Sequence, residues 1–148
     1  MRAANARDLF TVQVIRPLAG SDPASAVLPE TPLAWWRSRR PDRLFRKDSA
    51  SLRLALAGTH IESEPRWRDA ATGDCEGDGA LAIGICVRQI KQHPINATEV
   101  DLAVSATLAY ALLGDAASAI LLSWALKHRA KIDPPCALLS DLWLIADF

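Results

Sequence analysis

The stretch from Trp35 to Arg53, WWRSRRPDRLFRKDSASLR, holds the side chains best suited to binding chemistry. It has seven basic residues, two acidic ones and three aromatics, Trp35, Trp36 and Phe45. Guanidinium groups neutralise phosphates and carboxylates, and exposed aromatic rings stack on unpaired bases or anchor a protein partner. Trp35, Trp36, Arg37, Arg39, Arg40, Arg43, Arg46 and Lys47 are therefore the candidate binding residues, for another protein or for nucleic acid. A structural use competes with this one. Leu33, Trp35, Leu44 and Phe45 would pack on a core while the arginines form a solvated face. Residues 62–78 carry six acidic and two basic side chains, so the arginines also have a partner within the chain.

Other chemistry is thinly represented. His60, His93, His128, Cys75, Cys86 and Cys136 include no pair at a metal-ligand spacing such as C-x-x-C. Asp74, Glu76, Asp78 and Gly79 imitate the start of a calcium loop, but Ile85 stands where the closing glutamate belongs. A solvated acidic turn explains them. Cys86 and Cys136 lie in apolar contexts and read as inert buried thiols. Cys75, among acids, is dulled as a nucleophile. There is no G-x-S-x-G, P-loop or dinucleotide fingerprint. No catalytic residues, metal or cofactor are expected.

The elements that must position the arginine segment follow from caps and periodicity. Thr31-Pro32 starts a helix over about 32–40, which Pro41 stops. A second helix covers about 49–57 and ends at Gly58. Residues 59–79 form an acidic surface loop. Residues 80–92, with an apolar first half, a polar end and a stop at His93-Pro94, are taken as helix rather than strand. Thr98 followed by Asp101 approximates a capping box opening a helix over about 98–113. Gly114 ends it, Asp115 caps a helix over about 115–129, and Asp133-Pro134 opens one over about 134–146. Lys127, His128 and Arg129 suit the negative end of the helix dipole.

Short connectors make these last three helices antiparallel neighbours. Their apolar faces are expected at Ile120/Trp124 and at Leu138/Leu142/Ile145. Tyr110, Gly114 and Ala119 match three positions of a tetratricopeptide repeat. No second copy follows at that period, so a plain αα-hairpin is the better description.

The fold class is thus mainly α: a C-terminal antiparallel three-helix core with shorter helices before it and a loop-rich N-terminal region. The 148 residues are expected to form one domain, in which 1–30 are an extended or flexible segment. Within that segment Phe10, Val12 and Val14 alternate with polar residues, as in a short strand.

Half of the residues are hydrophobic and the formal net charge is zero. That composition folds, and it provides no general attraction to nucleic acid or anionic membrane. Three widely spaced cysteines suit reduced thiols in a cytoplasm, and the first twenty residues lack the apolar run of a signal peptide. Thirteen arginines against four lysines, with 26 alanines, point to a GC-rich bacterial genome.

Leu102 to Leu126 carries one formal charge, Asp115, and has the length of a membrane span. A carboxylate at its midpoint would cost roughly 2.5–3.5 kcal/mol in a bilayer, and Gly114-Asp115 makes an ordinary interhelical turn. A soluble helical interior is favoured over membrane association. The expected function is that of a non-catalytic protein–protein interaction or assembly subunit, joining another protein or itself. Nucleic-acid association through 35–53 is the alternative.

Overall fold

The computed structural model describes residues 31–73 and 77–148. The segment 1–30, including the expected strand at 10–14, lies outside the described residues, as do Asp74, Cys75 and Glu76. Pro32–Phe148 makes one compact unit. A 3-10 turn at Pro32–Ala34 leads into α1 (Trp35–Ser38), and a second 3-10 turn covers Pro41–Arg43. Then come α2 (Asp48–Leu56), α3 (Trp67–Thr72), α4 (Asp78–Gln92), α5 (Thr98–Ala111), α6 (Ala116–Arg129) and α7 (Cys136–Ile145). The described residues contain no strand, and 80–92 is helical. No described helix is long and apolar enough to cross a membrane.

α5 is the axis. Leu102 to Ala109 are buried without a break, and Val100, Ala111 and Leu112 extend the buried run. A helix apolar on every side needs neighbours on every side. α4, α6, α2 and the Pro32–Ala34 turn supply them. Alanines at 103, 106 and 109 allow close approach, and the Ser105 hydroxyl donates to the Leu33 carbonyl at 3.2 Å. α7 packs chiefly on α6, with further contacts to α1 and the Pro41–Arg43 turn.

The turn between α5 and α6 follows from two residues. Gly114 adopts φ +99°, where a side chain is strained. Asp115 then caps α6 by accepting from the Ser118 amide at 3.1 Å.

Three expectations are corrected. The stretch 59–79 is not simply a surface loop. Ile61, Glu64, Trp67, Ala70 and Ala71 are buried, and α3 lies within it. One inward residue per turn sufficed to anchor it, among charges that dominate its composition. Trp67 Nε1 donates to Thr59 Oγ1 at 3.1 Å, and the Tyr110 hydroxyl to the Ala70 carbonyl at 3.0 Å.

Thr98 is the first helical residue rather than the cap. Ala97 is the N-cap and offers no side-chain acceptor. Asp101 instead faces α1.

The faces of the last two helices are turned. Ser118, Leu122, Ala125 and Leu126 point inward on α6, and Cys136, Leu139, Ser140 and Trp143 on α7. Ile120 is 62% exposed, Leu138 57% and Ile145 77%, while Trp124 and Leu142 are half-buried. Both sides of α7 are apolar, so spacing alone could not choose between them. The seam chose. Ser123 and Ser140 have hydroxyl oxygens 2.8 Å apart, and Ser140 also donates to the Ser123 carbonyl at 2.8 Å. Two small polar side chains satisfy each other there and let the helices close up.

Candidate interaction surface

The arginine segment divides at Arg39. Before it, Trp36 is fully buried and Trp35 is 8% exposed. Trp36 Nε1 donates to Asp101 Oδ1 at 2.9 Å. Arg37 forks onto the same carboxylate, Nε to Oδ1 and Nη2 to Oδ2, both at 3.0 Å. The hydrogen bond that Arg37 donates to Asp101 raises the Arg37 pKa against the lowering effect of burial. Trp36 and Arg37 thus hold α1 to α5.

Beyond Arg39 the chain turns extended, and Pro41 restarts it. The Arg39 guanidinium lies over the Trp35 ring, 4.4 Å from its centroid. Arg40, Arg43, Arg46 and Lys47 are exposed. Arg40 pairs with Asp42 at 3.1 Å, and this hydrogen bond holds the Asp42 carboxyl below its usual range. Arg46 donates to the Leu113 carbonyl at 3.1 Å, satisfying the open end of α5. Lys47 sits 5.9 Å from the Phe45 ring centroid. Asp48 accepts from the Phe45 amide at 2.8 Å. Phe45, expected to pack on the core, is 56% exposed, while Leu44 beside it is buried.

Phe45 borders a hollow of about 330 Å³. Pro41, Asp42, Leu44 and Arg46 line it from the same segment, and Ala146 to Phe148 from the C-terminal one. Phe148 stacks on Trp143 with centroids 5.5 Å apart, which fixes that wall.

The outward side of α7 begins where this wall ends. Leu138, Leu144 and Ile145 are each more than half exposed, Leu142 lies at the same helical spacing, and Asp141 is the helix's one charge. The Ser123–Ser140 contact sets the register of the α6–α7 hairpin. It places Ile120, three residues before Ser123, level with Leu144, four beyond Ser140, when the helices run antiparallel. The periodicity of the last helices pointed to Ile120, Leu138, Leu142 and Ile145, but as core.

A second polar cluster had no sequence signal at all. Glu64, 5% exposed, accepts from Arg88 Nη2 at 2.8 Å and Nε at 3.0 Å, and from Gln89 Nε2 at 2.9 Å. The Arg88 bond is the main cause holding the Glu64 carboxyl below its ordinary value. All three of these bonds come from α4, so the cluster clamps the 61–66 turn to that helix. Glu64 and Arg88 lie 24 positions apart, with no motif between them.

Among the described residues no cluster of His, Cys, Asp and Glu could hold a metal ion. His128 packs edge-on against Trp124 at 4.6 Å, and desolvation with nearby Lys131 lowers its pKa. Cys86 and Cys136 are free and buried. Burial pushes the Cys86 thiol up to about 12 and, aided by Asp133, the Cys136 thiol to about 11. Neither is a nucleophile at neutral pH. Of the apparent calcium loop, Asp78 is buried at the start of α4. Comparison with protein-family models, with curated proteins and with solved structures finds no match for this chain.

Proposed function

We propose that the protein is a non-catalytic interaction or assembly subunit, and that the outward face of α7 is its main contact surface. One observation carries this reading: Leu138, Leu144 and Ile145 stand more than half exposed on a helix whose inward face is already filled by Leu139 and Trp143. Isolated exposed apolar residues are ordinary; several of them on one helix favour a contact surface. Free thiols at Cys86 and Cys136 suit a reducing cytoplasm as the compartment.

The test is the double substitution Leu138→Asp with Ile145→Asp in the full chain, compared with wild type by chemical cross-linking in the native host. Both positions are exposed, so the helical circular dichroism should be unchanged. Loss of a cross-linked species supports the reading, and an identical cross-linking pattern opposes it.

Nucleic-acid association is the second reading. The outward direction of Arg40, Arg43, Arg46 and Lys47 favours it. Burial of Trp35 and Trp36 removes the two best stacking rings from such a surface. Oligonucleotide binding that falls steeply as salt rises would support it.

A further inference from the structure

Resting on the α7 reading above, we propose that the outward face of α7 takes an apolar segment of a partner protein with an arginine or lysine at its centre, and that Asp141 receives this cation. The placement of Asp141 carries the inference. On a helix the surface neighbours of a residue stand three and four positions away. For Asp141 these are Ala137, Leu138, Leu144 and Ile145, all apolar and all exposed. The positions that could hold an ion-pair partner on the same helix therefore hold hydrocarbon. Asp141 is the one charge of α7, and it stands in the middle of the exposed face rather than on its rim.

Among the described residues no cation lies at ion-pair distance from Asp141. The α6 cation nearest in register, Lys127, is four residues beyond Ser123. It stands level with Cys136, about 7.5 Å along the axis from Asp141. While the face is open, water serves the carboxylate. Covering the face with apolar side chains removes that water, and the carboxylate then requires a charged or hydrogen-bonding partner. A purely apolar occupant would bury Asp141 unpaired, and an acidic one would oppose it. A second copy of this chain, laid symmetrically across the middle of the face, would bring two Asp141 carboxylates together. A cation set among apolar residues suits both the leucines and the carboxylate. The leucines would provide the anchor, and the ion pair the orientation.

The experiment is selection of a random peptide library displayed on phage against the full chain, followed by fluorescence anisotropy on the enriched peptides. The expected peptides carry Arg or Lys flanked by Leu, Ile, Val or Phe. Their affinity should fall about ten-fold in Asp141→Asn and further in Asp141→Lys. It should fall likewise in Leu138→Ser with Ile145→Ser, and hold in Glu62→Gln, an exposed carboxylate on the turn clamped to α4. Exchanging the peptide's cation for glutamate should restore binding to Asp141→Lys. Asp141 is exposed, so its variants should keep the helical circular dichroism of the wild type. Enriched peptides without a cation, lost in the serine pair but unmoved by Asp141→Asn, overturn the proposal and leave the α7 reading standing. Peptides indifferent to both variants bind elsewhere and overturn it. Absence of enrichment overturns it as well, and cross-linking in the native host then decides the α7 reading by itself. Concentration-dependent dimerisation lost in the serine pair overturns it in favour of a second copy.

Discussion

Arg37 and Asp101 form a two-pronged ion pair, both hydrogen bonds 3.0 Å long, across 64 positions of sequence. Trp36 adds a third donor to the same carboxylate. Asp101 sits in the first turn of α5, where it was expected to help cap its own helix. Its charge fastens α1 instead. The side chains are 27% and 18% exposed, so the pair lies between a screened surface contact and a fully desolvated one.

Asp101→Ala should therefore cost about 2–3 kcal/mol, because it strands a guanidinium and an indole N–H together. For a chain of this size that lowers the thermal midpoint by about 5–10 °C. Asp101→Asn retains an acceptor for Trp36 and should lose less. Circular dichroism melts of both variants check the order; equal stability of all three proteins would contradict it.

Glu64 makes stability depend on pH in a set direction. Its folded pKa is depressed by Arg88, so its contribution is complete above the unfolded carboxylate pKa, about 4.3. It is lost as pH falls through the lower folded value. Wild type should exceed Glu64→Gln by about 1–2 kcal/mol at pH near 7, discounted for an Arg88 that is half exposed. The gap should begin to narrow as pH falls below about 4. Urea unfolding at both pH values measures it.

Gly114→Ala should destabilise by about 1–2 kcal/mol or more through its left-handed φ alone. A Cβ there would also lie 3.2 Å from the Phe148 carbonyl oxygen. Gly84, in mid-helix, meets nothing closer than 3.5 Å, an atom of the flexible Arg88 side chain. Gly84→Ala should therefore be neutral or stabilising. Chemical denaturation of the two variants provides the contrast.

The thiols supply a prediction independent of stability. Cys86 and Cys136, raised to about 12 and about 11, should resist iodoacetamide in the native protein at neutral pH. Both should be alkylated in denaturant, as read by peptide mass spectrometry. Rapid native labelling of Cys86 would contradict its burial.

Much of the helical architecture was legible from local signals. Asp115 after Gly114 specified the α5–α6 turn, and His93-Pro94 stopped α4, because caps and breakers act within a few residues. What was not legible required knowing which face meets which neighbour. α7 has leucines on both sides, and only the Ser123–Ser140 seam selects Leu139 over Leu138. Trp36 and Arg37 looked like binding residues because their acceptor, Asp101, lies far along the chain. Glu64 hid among other acids in a stretch whose composition resembles a loop, although Ile61 and Trp67 hold it inside.

The orientation of α7 is tested by matched substitutions. Leu139→Ala and Trp143→Ala should each cost about 2–5 kcal/mol, while Leu138→Ala should change stability by about 0.5 kcal/mol. The reverse order, measured by urea unfolding, would place the helix the other way round.

Site-specific photo-crosslinking in the native host tests the interaction surface most directly. Benzoylphenylalanine in place of Leu138, Leu142 or Ile145 should give a discrete cross-linked species after irradiation. The same probe in place of Leu54, 79% exposed on α2, should give none. Adducts at Leu54 with none on α7, or no adduct on α7 at all, would contradict a contact surface there.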